Sequence, residues 1–284
     1  MKTKKSLGQN FLRDEKILKK IVDFAQIEKG DTVVEVGPGE GTLTKFILEK
    51  AKRVIAVEKD ELLAKFLQEK FKEEIKSSKL KILTGNILEI ENLLKIAKLK
   101  IPARAGGGNY CLVGNIPYYI TGEIFRKFLE SENQPKSLTF VVQKEVAERI
   151  IARDGKESIL SISIKAYGEA EFGGVIKAGS FVPRPKVDSA IIAVRDISKK
   201  RFDEITPLIP LTLRGKQGKQ TPEELFFEIV RKGFAHKRKL LIRNLNISKD
   251  IFEKLEIPEK ARAEDLKVED WFALAKSFKD RKEL

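Results

Sequence analysis

Thr32-Val33-Val34-Glu35-Val36-Gly37-Pro38-Gly39-Glu40-Gly41-Thr42 decides the fold. The first five residues are mostly β-branched and apolar, which predicts a buried strand. Gly37 to Gly41 predict a turn, and Thr42 opens a helical pattern through Leu43, Phe46, Ile47 and Leu48. Strand, glycine turn and helix make one unit of a parallel α/β sheet. The glycines let a ligand approach the backbone, and the helix N-terminus supplies unbonded N–H groups. The spacing is G-x-G-x-G. A dinucleotide fingerprint needs its third glycine at position 42, where this chain has Thr42.

Working outward, Arg53-Val54-Ile55-Ala56-Val57 predicts the next strand and ends at Glu58, a carboxylate placed to accept both hydroxyls of a ribose. A nucleoside ligand follows, without a choice of which one. Leu80-Lys81-Ile82-Leu83 predicts a third strand, and Asn86 just beyond it offers a polar group for an adenine edge. Further strands are expected at 110–113, 137–142 and 187–194. Residues 158–164 alternate serine with leucine or isoleucine, which by period alone predicts a strand. The alternation of strands and helices predicts a mainly parallel sheet covered on both faces, with ligands outside the strands' carboxyl ends.

Gly114-Asn115-Ile116-Pro117-Tyr118 follows one of those strands and carries an unusual set of groups. Asn115 offers a carbonyl oxygen. Pro117 fixes the backbone and has no N–H, so carbonyls nearby can face a ligand. Tyr118 offers a flat face. The set suits a planar heterocycle with an exocyclic amine, its hydrogens accepted by Asn115 and a carbonyl of Ile116 or Pro117.

The chain has 284 residues, 42% of them hydrophobic, and a formal net charge of +14, which favours a polyanionic partner. Cys111 is the only cysteine and His236 the only histidine, which argues against disulfides, a cysteine metal cluster and a histidine-based site. No apolar run approaches membrane-span length, and no apolar stretch follows the basic start, so a cytoplasmic protein without a membrane partner is expected. Phe181-Val182-Pro183-Arg184-Pro185-Lys186 predicts a stiff, basic loop. Beyond residue 198 the strand signals fade and helices are expected near 223–232, 237–245, 248–255 and 268–278. The expected domains are therefore 1–198 and 199–284. Between Glu228 and Asp250 there is no acidic residue, while Arg231, Lys232, Lys237, Arg238, Lys239, Arg243 and Lys249 all fall there. That run, with Arg184 and Lys186, is the candidate phosphate-binding surface.

Taken together, these motifs resemble a family. The G-x-G-x-G loop preceded by Glu35 resembles the S-adenosylmethionine loop of Rossmann-like class I methyltransferases. Gln9-Asn10-Phe11-Leu12, Val57-Glu58, Gly114-Asn115-Ile116-Pro117-Tyr118, Gln143-Lys144-Glu145-Val146-Ala147-Glu148-Arg149, Phe181-Val182-Pro183-Arg184-Pro185-Lys186-Val187-Asp188-Ser189 and Phe234-Ala235-His236-Lys237-Arg238-Lys239 together resemble the bacterial-type small-subunit ribosomal RNA adenine dimethyltransferases, the kasugamycin-sensitivity family. The resemblance spans about residues 6–278. It implies a class I methyltransferase sheet with a small C-terminal helical domain that binds RNA. It also implies S-adenosylmethionine as cofactor, ribosomal RNA in the small subunit or its assembly precursor as partner, and a monomer. Alternatives are the large-subunit branch that confers macrolide resistance, and a catalytically weak assembly factor.

By the same resemblance the cofactor site comprises Asn10 and Leu12 as a lid, Gly37 and Gly39 in the loop, Glu58, Asn86 and Asn115. Asn115, Ile116, Pro117, Tyr118 and Phe181 are implied to handle the target adenine, with Phe181 opposite Tyr118. Most members of the family have aspartate where this chain has Asn86. The family also implies a helix at 158–167, and that expectation is preferred to the period-2 reading.

Overall fold

A computed structural model describes residues 10–96, 110–205 and 221–278 of the chain. The chain divides into two compact units, Met1–Ala147 with Gly168–Ile197 and Glu148–Tyr167 with Ser198–Leu284. Gln9, the N-terminal lysines, the glycines at 106–108 and most of the proline-containing stretch at 205–222 fall outside the described residues.

The first unit begins with strand β1 (Phe11–Leu12) and helix α1 (Glu15–Phe24), whose start is capped by the Asp14 carboxylate accepting the Lys16 and Ile17 N–H groups. Strand β2 (Thr32–Val36) is buried along its whole length and leads through the glycine turn into α2 (Thr42–Lys50). Strand β3 (Arg53–Glu58), α3 (Glu61–Lys70), α4 (Lys72–Lys76), β4 (Leu80–Thr84) and α5 (Ile90–Ile96) follow. Then come β5 (Tyr110–Asn115), α6 (Thr121–Leu129), β6 (Ser137–Gln143) and α7 (Lys144–Ile151). After α8 (Ile159–Lys165) the chain adds β7 (Glu169–Ile176), β8 (Phe181–Val182) and β9 (Ser189–Arg195).

Seven strands form one sheet in the order β4-β3-β2-β5-β6-β9-β7. The five from β4 to β6 are parallel, and β9 and β7 are antiparallel additions at one side. From β2 the chain builds outward first through β3 and β4, then on the other side through β5 and β6. The crevice between β2 and β5 is therefore the topological switch point, where ligands of such sheets bind. Leu18, Ile21, Phe46 and Ile47 of α1 and α2 share one core with Val33, Val54 and Cys111 of the sheet. Phe125 of α6 meets Phe140 of β6 edge-on, ring centroids 5.4 Å apart. β1 and β8 pair separately as a two-stranded ribbon, Leu12 opposite Phe181.

Residues 158–164 form helix α8 and not a strand. Ser158 caps it reciprocally with Ser161, and the serine–aliphatic alternation that imitates a strand comes from these capping and half-buried serines. Strand β7 has no counterpart among the strands expected from the sequence. It contains Gly173 and Gly174, with a register shift between Phe172 and Gly174, and both glycines weaken the usual strand signal.

The second unit takes the second half of α7 and all of α8, and adds α9 (Lys200–Asp203), α10 (Pro222–Gly233), α11 (Leu241–Leu245), α12 (Lys249–Lys254) and α13 (Val268–Ser277). Its core is aromatic: Phe226 stacks on Phe272 at 4.4 Å, Phe202 meets both, and Trp271 is fully buried. The helix expected at 237–245 is shorter. Lys237, Arg238 and Lys239 lie in a turn before α11, and only Arg243 of the four candidate cations is helical. Asn244 holds this turn by donating to the carbonyls of Gly233 and His236 at 2.6 and 3.1 Å, a bonded alternative to helix that competes with local propensity.

Candidate active site

A cavity of about 320 Å³ opens at the carboxyl ends of the central strands. Asn10, Leu12, Gly37, Gly39, Glu58, Asn86, Asn115, Ile116, Pro117 and Tyr118 all line it. The sequence motifs, dispersed over more than a hundred residues, therefore meet in one place.

The glycine loop is shaped by close approach. Gly37, Gly39 and Gly41 all have positive φ. A Cβ on Gly39 would lie 2.8 Å from the Phe11 ring, so the N-terminal segment covers the loop only because this position is bare. That segment is fastened twice: the Thr42 hydroxyl donates to the Leu12 carbonyl at 2.9 Å, and Asn115 Nδ2 donates to the Asn10 carbonyl at 2.8 Å. Leu12, expected in a lid, has its side chain buried in the core. Gly114 is equally constrained, since a Cβ there would meet the Val36 carbonyl oxygen at 2.6 Å where β5 and β2 close together.

Glu58 is buried and braces the loop. Its Oε2 accepts the Gly39 N–H at 3.0 Å and its Oε1 accepts the Asp60 N–H at 2.9 Å. Burial holds its carboxyl above the ordinary range despite these bonds. Glu35 is buried more deeply, at 1% exposure, and its Oε2 has no hydrogen-bond partner among the described residues. Burial pushes its pKa up to about 8; the nearby Thr44 hydroxyl lowers it and the Glu58 charge raises it further. Glu35 is absent from the sequence-predicted set. Its signal is its place in the motif, the acidic residue of the strand that leads into the glycine turn.

The Asn115 amide is oriented by its bond to Asn10. With Nδ2 donated, Oδ1 is the end left to accept. The Pro117 carbonyl already accepts the Ile120 N–H at 3.2 Å. Tyr118 is half-buried, and its hydroxyl hydrogen-bonds to Ser189 Oγ at 2.7 Å, which fixes the ring beside the start of β9. Burial raises its pKa. Tyr119, the next residue, lines the cavity with its side chain 60% exposed, and it too lies outside the predicted set.

Phe181 does not join this group. Its ring is 2% exposed, packs in the core, and does not line the cavity. The ribbon explains this: β8 pairs with β1, Phe181 turns inward behind Leu12, and the outward position is taken by Val182. Arg184 and Lys186 are exposed in the loop that follows. In the second unit Lys237, Arg238, Lys239 and Arg243 are exposed and make no ion pair with described residues, whereas Lys232 and Lys249 pair with Glu228 and Glu259. Among the described residues no His, Cys, Asp and Glu cluster could hold a metal, and no helix is long and apolar enough to cross a membrane.

Two buried carboxyls beside a glycine loop suit a ligand that brings hydrogen-bond donors, such as a nucleoside. Glu58 fits a ribose diol, and the unbonded Glu35 oxygen fits a donor such as an ammonium. With the strand order, this defines a Rossmann-like class I methyltransferase that uses S-adenosylmethionine. The family model of the ribosomal RNA adenine dimethylases matches residues 1–280, and the chain belongs to that family. It is 37% identical to the ribosomal RNA small subunit methyltransferase A of Dehalococcoides mccartyi, over 98% of this chain and 89% of that one. The protein of the same name from Fusobacterium nucleatum is 35% identical over 99% of each chain. The crystal structure of the 23S rRNA methyltransferase ErmE is similar with a TM-score of 0.70 and 25% identity, covering 94% of this chain and 98% of that one. A dimethyladenosine transferase from Plasmodium falciparum shares the fold, with a TM-score of 0.73 and 23% identity, covering 94% and 97%.

Proposed function

We propose that the cavity takes S-adenosylmethionine and that Asn115, Ile116, Pro117 and Tyr118 receive an adenine of small-subunit ribosomal RNA, in the ribosomal subunit or its assembly precursor. The protein is an S-adenosylmethionine-dependent rRNA adenine dimethyltransferase. The observation that carries the residue-level reading is the Asn115 amide, whose donor end is spent on Asn10 and whose acceptor end remains.

The cofactor supplies an electrophilic methyl on a sulfonium. Glu58 would hold the ribose hydroxyls, Gly37 and Gly39 would let it reach the backbone, and Glu35 would face its positive charge. The target N6 has a lone pair delocalised into the purine ring. Asn115 Oδ1 and a backbone carbonyl accept its two N–H groups and favour a pyramidal nitrogen. Ile116 is the better candidate for that carbonyl, because Pro117 is already engaged. These acceptors strengthen as the nitrogen becomes cationic, so they stabilise the transition state over the ground state. The N-methylated cation is acidic and sheds its proton without a strong base, in keeping with a cavity that no histidine lines. Unstacking the base costs roughly a few kcal/mol, offset by stacking on Tyr118. For the second methyl, the amine rotates while its remaining N–H keeps one acceptor.

The exposed cations Arg184, Lys186, Lys237, Arg238, Lys239 and Arg243 supply phosphate contacts, with the second unit acting as an RNA-binding domain. The protein works in the cytoplasm as a monomer. Incubation with labelled S-adenosylmethionine and undermethylated small subunits, large subunits and naked rRNA tests the reading. Dimethyladenosine in small-subunit rRNA is expected. Label confined to large subunits would assign the chain to the macrolide-resistance branch, and no transfer would leave an assembly factor.

A further inference from the structure

Arg13 and Glu40 join the N-terminal segment to the glycine loop. The guanidinium grips the carboxylate as a fork: Nε donates to Oε2 at 3.1 Å, and Nη2 lies 2.9 Å from both oxygens. Glu40 stands between Gly39 and Gly41, and its carbonyl accepts from Lys70 Nζ at 2.7 Å. The loop is thus tied to α3 through its backbone and to the N-terminal segment through a side chain. Neither Arg13 nor Glu40 lines the cavity, but Asn10, Phe11 and Leu12 do, and the Phe11 ring rests where a Cβ of Gly39 would be. The Thr42 and Asn115 bonds and the β1–β8 pairing that hold this segment involve no formal charge. The Arg13–Glu40 pair does, and its side chains are 55% and 20% exposed.

We infer that the Arg13–Glu40 pair is the clasp of a gate: it holds the N-terminal segment down on the glycine loop and sets how fast the cofactor enters and leaves. The inference rests on the reading that the cavity takes S-adenosylmethionine against that loop. Two methyl groups on one nitrogen consume two cofactor molecules. Spent S-adenosylhomocysteine therefore has to leave, and fresh cofactor has to enter, between the transfers. A segment that lines the cavity and lies over the loop stands in the way of that exchange. Lifting it breaks the ion pair, whereas losing the pair leaves the cavity's own groups as they are. Because the guanidinium is half exposed, water and salt weaken the pair, and such a clasp opens far more readily than a buried one.

The test is surface plasmon resonance with S-adenosylhomocysteine on the immobilised full chain, comparing wild type with R13Q, E40Q and the double variant. A gate slows entry and exit alike. Each single variant should therefore raise both the association and the dissociation rate by about threefold, the scale of an exposed ion pair, with affinity held within about twofold. The double variant should be no faster than either single one, because the pair is broken once. Salt raised from about 0.05 to about 1 M should bring the wild-type rates up to those of the variants and leave the variants unchanged. S-adenosylhomocysteine has no net charge, so salt has no steering of the ligand to act on. Unchanged rates in both single variants overturn the clasp and leave the cofactor reading standing. So does affinity lost at an unchanged association rate, which makes the pair a shaper of the pocket and not a gate. A double variant faster by the product of the single effects shows two residues acting apart and overturns the pair. A wild type that fails to bind S-adenosylhomocysteine removes the cofactor reading itself.

Discussion

Asn115 and Asn10, 105 residues apart in the chain, are joined by a hydrogen bond from the side-chain Nδ2 of the first to the backbone carbonyl of the second at 2.8 Å. One bond does two things. It anchors the N-terminal segment that covers the glycine loop, and it prevents the amide from turning its donor end toward the target amine. Substitutions at Asn115 separate the two roles. Asn115→Ala should leave S-adenosylmethionine affinity within a few-fold and cut turnover by orders of magnitude, because the acceptor matters most as charge develops on N6. Asn115→Asp keeps acceptors but sets a carboxylate against the Asn10 carbonyl, so it should also speed amide exchange at Phe11 and Leu12. Near wild-type turnover in the alanine variant would remove Asn115 from the chemistry.

Glu35 makes stability depend on pH. Its carboxyl titrates near 4.5 in the unfolded chain and is pushed up to about 8 by burial in the folded one. Below that window both states are protonated. Within it the folded state binds the extra proton, so stability falls as pH rises from about 4.5 to about 8. Glu35→Gln removes the titration. Its melting temperature should match wild type near the bottom of the window and exceed it by several degrees at the top. Parallel melting curves for the two proteins across the window would show that Glu35 ionises freely.

Glu58 gives a different expectation because both its oxygens are already employed, on the Gly39 and Asp60 N–H groups. Glu58→Ala should weaken S-adenosylmethionine binding by more than the loss of a ribose acceptor, since the glycine loop loses its brace. Glu58→Gln should do nearly as badly: its amide must present N–H to one of the two backbone N–H groups it now serves. Calorimetry on both variants decides this, and a glutamine variant that binds like wild type would mean the brace is dispensable.

What is legible in the sequence follows from how local each signal is. The strand–turn–helix around Gly37–Gly39, the ribose carboxylate Glu58 and the Asn115–Tyr118 segment are written in contiguous residues, and the cavity brings them together. The sequence carries no equivalent mark for which face of the two-residue strand β8 turns inward, so nothing in it foretells the inward turn of Phe181. Strand β7 escapes the reading because an edge position, two glycines and a register shift erase the alternation that a period of two needs. At 158–164 that same period misleads in the other direction, where serines serving a helix cap imitate a strand.

The basic turn in the second unit tests the RNA reading. Lys237, Arg238 and Lys239 lie outside helix α11, in a turn that Asn244 holds, and Arg243 is exposed on the helix that follows. None makes an ion pair with described residues, so their charge is available to a polyanion. When such cations bind phosphates they release counterions, and binding then weakens steeply with salt. Replacing Lys237, Arg238 and Arg243 together with glutamine should weaken RNA or subunit binding across all sequences tested. It should flatten the slope of log K against log salt by about 0.7–0.9 for each phosphate that the variant no longer neutralises. S-adenosylmethionine affinity should stay unchanged, because every residue lining the cavity belongs to the first unit. Filter binding over a salt series, with cofactor affinity measured in parallel, distinguishes the outcomes. An unaltered slope would make the turn a solvated surface and shift phosphate binding to Arg184 and Lys186. A slope that flattens together with a loss of cofactor affinity would point to a variant that no longer folds correctly.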